Sequence, residues 1–206
     1  MRFNPKYIQL IGDSAIPLLG FFYWNWNLYF ILIFYFLDLF IKEVLLHLKS
    51  IKIRVFRKEQ NAIGLNQEIS SWTKYSLISF LLLVFCILLI QLSMPFIQKD
   101  FNTLNQLYKF WTYKDVGGME QGYFLIPLII FMGFTQYKME FLKTHAYTNF
   151  TIADLWNPHL KSVLILFSFV ALSYGIVQFI AIPEFIFVLG IVIISSCYQI
   201  LTLRNK

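Results

Sequence analysis

Charge is scarce in this chain of 206 residues: Asp, Glu, Lys and Arg together supply 14%, where a soluble domain carries about a quarter. Hydrophobic residues make up 58%. That balance argues against a soluble single-domain enzyme. A disordered chain is excluded by the low charge together with an aromatic content of 19%, because such a composition buries apolar surface readily. There are only two cysteines, Cys86 and Cys197, each inside an apolar run, so a disulfide framework is excluded too. Catalytic punctuation is equally sparse. The chain has no Walker-type phosphate loop, no H-E-x-x-H, no C-x-x-C and no G-x-S-x-G. Its three histidines, His47, His145 and His159, lack metal-ligand spacing. We therefore expect no catalytic residue, no metal and no cofactor.

What the chain does have is long apolar runs. A helix needs about 20 mostly apolar residues to cross the hydrocarbon. Six segments qualify: Tyr7–Tyr23, Leu28–Leu48, Trp72–Ile97, Gln121–Tyr137, Pro158–Ile182 and Glu184–Leu203. The expected fold is an all-α integral membrane bundle of about six transmembrane helices in hairpin pairs, a single polytopic domain over residues 1–206. Trp24, Asn25, Trp26 and Asn27 form a tight link between the first two spans, with rings suited to the headgroup level. Pro183–Glu184 links the last two. Asn157 before Pro158 reads as a helix cap, and Ser71 as a cap for the third span. The first segment has a basic start, but Asp13 and Pro17 interrupt it and no small-residue cleavage site precedes Trp24. It is expected to be a retained span, not a signal peptide.

The formal charge of +6 is a topology signal. With six spans, one side holds Arg2, Lys6, Lys49, Lys52, Arg54, Arg57, Lys58, Lys138, Lys143, Lys161, Arg204 and Lys206. The other holds Lys99, Lys109 and Lys114. The positive-inside rule puts both termini in the cytoplasm. A nucleic-acid partner is not expected, since no compact basic surface lies outside the membrane. In the loop Ser50–Ser71, Ile51, Ile53, Val55 and Phe56 alternate with Lys52, Arg54, Arg57 and Lys58. These bases serve as an orientation signal and lie within reach of anionic headgroups. In the loop Gln98–Glu120, Phe101, Leu104, Leu107, Tyr108 and Trp111 define one apolar face of a short helix capped by Asp100, with Gly117–Gly118 releasing the chain afterwards.

Ionisable groups inside a span are expensive and mark function by default. Asp13 and Asp38 each lie about three helical turns, ~16 Å, from the Trp24–Asn27 link. They are thus matched in depth near the bilayer midplane. Two readings stay open. In one, the pair binds a cation or shares a proton. In the other, Asp38 pairs with Lys42 one turn along the same helix and Asp13 caps a break loosened by Gly12 and Pro17. Glu43 and His47, also four apart toward the inner end, have two readings: an extension of the Asp38–Lys42 stripe into a polar track, or, more commonly for such a pair, ion pairing that snorkels toward water. Gln91, Gln136, Gln178 and Gln199 each carry an amide into a span and are expected to bond other helices. Ser168, Ala171 and Gly175 form a small-residue packing stripe on the fifth span.

The first hairpin carries a resemblance. It reads Gly12-Asp13-Ser14-Ala15-Ile16-Pro17-Leu18-Leu19-Gly20, then Trp24 and Trp26, then Tyr35 and Asp38. A polar residue, a Pro-x-x-Gly, a Trp turn and a Tyr-x-x-acid resemble a family of short multi-pass bacterial inner-membrane proteins of unknown function. Asp13 and Asp38 stand here where that family has Asn and Glu. The resemblance implies a bacterial inner-membrane setting and no activity. The function expected first is non-enzymatic: an accessory or assembly subunit of a larger membrane complex, with the bilayer and other membrane subunits as partners. The second is a small transporter or channel using the Asp13/Asp38 pair for a proton or cation.

Overall fold

The computed structural model describes residues 5–59, 65–97, 101–112, 121–180 and 182–204. Its helices are α1 (Pro5–Tyr23), α2 (Leu28–Glu59), α3 (Leu65–Ile97), α4 (Thr103–Thr112), α5 (Gln121–Gln136), α6 (Ile152–Val177) and α7 (Glu184–Arg204). A π-helical turn, Tyr137–Leu142, continues α5, and a short 3-10 turn, Ala146–Thr148, precedes α6. The chain is all-α, with no strand among the described residues. Four stretches are long and apolar enough to cross a membrane: Ile69–Ile97, Leu125–Leu142, Ile152–Val177 and Glu184–Leu201. Ile11–Tyr23 is a shorter apolar helix.

The long helices alternate in direction. Ser14 meets Ser196 (2.7 Å) and Leu28 N–H donates to Glu184 Oε1, so α1 and α7 run antiparallel. Tyr29 faces Gln91 while Glu43 faces Ser79, which sets α3 antiparallel to α2. Trp156 reaches Ser50, which does the same for α6. One end of the bundle holds the Trp24–Asn27 turn, Glu184 and α4. The other holds Arg57 and the Phe150 carbonyl it donates to.

α2 is the centre. It packs against α1, α3, α5, α6 and α7, and every residue from Leu28 to Tyr35 is buried. Burial on all sides is the mark of an interior helix. The arrangement inverts hydropathy: the part of α2 that carries Asp38, Lys42 and Glu43 is inside, and the apolar helices cover it. Large exposed side chains such as Leu77, Phe80, Phe85, Leu172 and Ile193 suit lipid contact.

The ends of the elements depart from expectation at several points. α2 continues to Glu59 instead of stopping near Leu48, so the alternating basic segment is helical. Its extension is clasped by the chain before α6. Lys49 lies 5.8 Å from the Phe141 ring centre and Lys52 lies 5.2 Å from that of Tyr147. α3 starts at Leu65, so Ser71 is inside a helix and not a cap. α6 starts at Ile152, capped by Thr151, whose hydroxyl accepts from Asp154 N–H while Asp154 accepts from Thr151 N–H. This reciprocal capping box replaces the expected Asn157 cap, and Pro158 lies within the helix. On α4 the face predicted to be apolar divides: Phe101 and Leu107 pack against the core, Phe101 edge-on to Tyr29. Leu104 and Tyr108 are exposed, and Phe110 fills the core against Phe30. Asn102 caps that helix through Asn105 N–H. Asp100, Gly117 and Gly118 lie outside the described residues.

The α1–α2 turn depends on close backbone approach. Asn25 adopts φ 50°, a left-handed conformation that Asn tolerates. Trp26 N–H donates to the Gly20 carbonyl (2.9 Å), and its ring covers Gly20 so closely that a Cβ there would sit 2.3 Å from a ring carbon. Gly175 has nothing within 4 Å of such a position. Gly20→Ala is therefore expected to cost about 1–3 kcal/mol through overpacking. Gly175→Ala is expected to be neutral or mildly stabilising. Thermal unfolding of the two variants in detergent checks the contrast.

Candidate functional site

Pro17 sits inside α1 without ending it. It has no N–H, so the carbonyl four residues earlier, that of Asp13, loses its helical donor. The Tyr35 hydroxyl of α2 replaces that donor at 3.1 Å. This local defect pins α1 to α2 at one level, and it puts the Asp13 side chain against the polar stripe of α2. Asp13 is not a cap at a break, because the helix is continuous through it.

Lys42 is the hub. Its Nζ lies 2.5 Å from Asp38 Oδ2, one turn back on α2, and 3.1 Å from Asp13 Oδ2 on α1. Both carboxylates are buried. A third helix joins through Gln199 of α7, whose amide donates to Asp13 Oδ2 at 3.0 Å. The two expected readings therefore merge: Asp38 does pair with Lys42, and Asp13 faces the same ammonium. With all three groups ionised the cluster carries one net negative charge. Each carboxylate engages Lys42 through Oδ2. Among the described residues no bond uses Oδ1 of either, and neither Oδ1 is sealed off without a partner.

Two small cavities flank the cluster. One, about 40 Å³, opens between α2, α6 and α7 and is bordered by Tyr35, Asp38, Lys42, Ser162, Tyr198 and Gln199. The other, about 20 Å³, lies between α1, α2 and α5 and is bordered by Asp13, Asp38, Lys42, Met132 and Gln136. Both are polar on one wall and large enough for water. Two residues of the first, Tyr198 (2.9 Å) and Ser162 (3.1 Å), donate their hydroxyls to the Pro158 carbonyl.

Glu43 does not extend this cluster. One residue beyond Lys42, it points about 100° round the helix, toward α3 and α6. There its Oε2 accepts from Ser79 (2.8 Å) and lies 3.5 Å from His159 Nε2. His47 follows on the same face, edge-on to Trp72 and Trp156, and Trp156 donates to Ser50. Glu43, His47 and Ser50 thus form a second polar stripe, spaced four and three apart. It is a packed seam of complementary partners. Ser168, Ala171 and Gly175 lie off the face by which α6 is buried, which runs through Val163, Leu166, Val170 and Ser173. Ser168 and Gly175 are exposed, so the stripe does not serve packing among the described residues.

Sequence reasoning missed Tyr35 as a partner and His159 as a buried side chain. Pro17 was the available signal for the first, since it orphans a named carbonyl. Thr151-x-x-Asp154 was the signal for the second, because it starts α6 early enough to carry His159 into the bundle. Among the amides, Gln91 bonds Tyr29 and Gln199 bonds Asp13, as expected of span amides.

The charge balance gives a signed prediction. Lys42→Met leaves two buried carboxylates without a cation and is expected to destabilise by about 3–5 kcal/mol. Asp13→Asn removes the surplus charge and retains a hydrogen-bonding side chain, so it is expected to be near neutral or stabilising. Unfolding in detergent measured side by side checks the order, and equal losses would refute it. The chain matches no protein-family model, no curated protein and no solved structure.

Proposed function

We propose that this is a non-enzymatic membrane protein of six spans, with both termini cytoplasmic, that moves protons at its Asp13–Lys42–Asp38 cluster as a small transporter or channel. The observation that carries the reading is the shared ammonium. Two carboxylates and one lysine hold a surplus negative charge in a water-poor interior, and one bound proton neutralises it. Lys42 already occupies the position between the carboxylates where a metal cation would sit. The flanking cavities accommodate water and not an organic solute. Both points favour a proton over other cargo. α1 and α2 complete the six spans in this reading: α1 is short, and α2 is shielded by its neighbours, so neither needs a fully apolar surface. The bacterial inner-membrane setting rests on the resemblance of the first hairpin.

Purified protein in liposomes loaded with a pH-sensitive dye provides the test. Wild-type vesicles are expected to acidify faster than empty ones after an external acid step, and Asp38→Asn to return the rate to that of empty vesicles while keeping its unfolding temperature. Equal rates for wild type and empty vesicles would overturn the proposal.

A second reading, the accessory or assembly subunit, is favoured by the outward position of Ser168, Ala171 and Gly175. Small residues let a partner helix approach closely. Purification in mild detergent is then expected to retain a membrane partner at fixed stoichiometry, and Gly175→Leu to release it. Recovery of the chain alone would remove this reading.

A further inference from the structure

Glu140 is a carboxylate that the central cluster does not use. It lies in the π-helical turn Tyr137–Leu142, directly after α5, and such turns recur at functional positions. Its Oε2 accepts from Gln136 Nε2 at 3.2 Å. Its Oε1 is buried and has no hydrogen-bond partner. A carboxylate oxygen left so costs free energy that a proton or a water would recover. Gln136 in turn borders the smaller cavity together with Asp13, Asp38 and Lys42. Glu140, Gln136, that cavity and the cluster thus form one line along α5, with Glu140 one turn nearer the basic end of the bundle.

We infer that Glu140 is the entry carboxylate through which protons from the inner side reach the central cluster. The inference rests on the proton reading above and adds its route. Glu140 takes a proton from inner water and becomes a carboxylic acid. The proton passes to a water in the cavity beside Gln136, and that water releases one to Oδ1 of Asp13 or Asp38. Glu140 returns to the carboxylate. Gln136 does not carry the proton; its amide orients Glu140 toward the cavity. The charged and titratable groups around the turn are Tyr137, Lys138 and Lys143 on the same segment, Lys49 of α2, whose Nζ lies over the Phe141 ring, and His145 and Tyr147 of the following loop, joined at 2.7 Å.

Two readouts on the full chain separate this inference from the reading it deepens. In dye-loaded liposomes, Glu140→Gln is expected to slow proton flux at least tenfold and Glu140→Asp to restore most of it. Unchanged flux in Glu140→Gln would overturn the entry role. Independently, time-resolved infrared spectroscopy after a pH jump follows the carboxylic acid band that Asp38→Asn or Asp13→Asn removes. The inference predicts that this band forms at least tenfold more slowly in Glu140→Gln than in wild type, with the same final amplitude. Equal rates would overturn it. Slowed protonation in a protein without flux would uphold the entry role and remove the transport reading alone.

Discussion

A single ammonium group ties this bundle together. Lys42 on the central helix bonds Asp38 of its own helix and Asp13 of the first, and Gln199 brings the last helix to the same oxygen. Separating α1 from α2 would leave a carboxylate in an environment that cannot hydrate it, so the two helices are held at one depth by the cost of the alternative. Pro17 reinforces this, because the carbonyl it orphans is the one that Tyr35 satisfies. The cluster is therefore a fastener, and in the proposed reading it is also the site. Its surplus negative charge is what a simple fastener would not carry.

The polarity of α2 explains the rest of the architecture. Asp38, Lys42 and Glu43 are costly to expose to an apolar medium, and apolar helices cover that part of α2. Two faces of α2 do different work. The face through Tyr35, Asp38 and Lys42 borders water-sized cavities. The face through Glu43, His47 and Ser50 is a packed seam in which Ser79 and His159 meet Glu43, Ser76 meets His47 and Trp156 donates to Ser50. The adjoining cavities, which the seam lacks among the cavities described, separate the candidate site from the packing device.

Depth and pairing along one helix were legible from residue order alone. Asp13 and Asp38 count equally from the Trp24–Asn27 turn, and Asp38 and Lys42 are four apart. Rotation about the helix axes was not legible, because a midplane depth says nothing about which neighbour a side chain meets. For that reason an extension of the Lys42 stripe through Glu43 stayed open as a reading, although adjacent residues on a helix point about 100° apart. The α6 small-residue stripe raises the same question of rotation: two faces of that helix carry packable residues, and the one with Val163, Leu166 and Val170 is buried inside the bundle. Helix ends were misread where charge was taken for loop. The basic tail of α2 stays helical against Phe141 and Tyr147 of the segment before α6, whose rings meet Lys49 and Lys52. Bundle class survived these errors because it depends on apolar length, which composition records directly.

The central claim is that the Asp13–Lys42–Asp38 cluster binds a proton. Carbon-13 NMR of aspartate carboxyl groups, labelled in the folded protein in lipid nanodiscs, tests it most directly. Asp13→Asn and Asp38→Asn supply the assignments. The account predicts that across a pH titration the pair takes up one proton in common, with both signals moving together, and that in either variant the remaining carboxylate stays ionised beside Lys42. Two carboxyl signals fixed at the ionised position throughout the titration would contradict it.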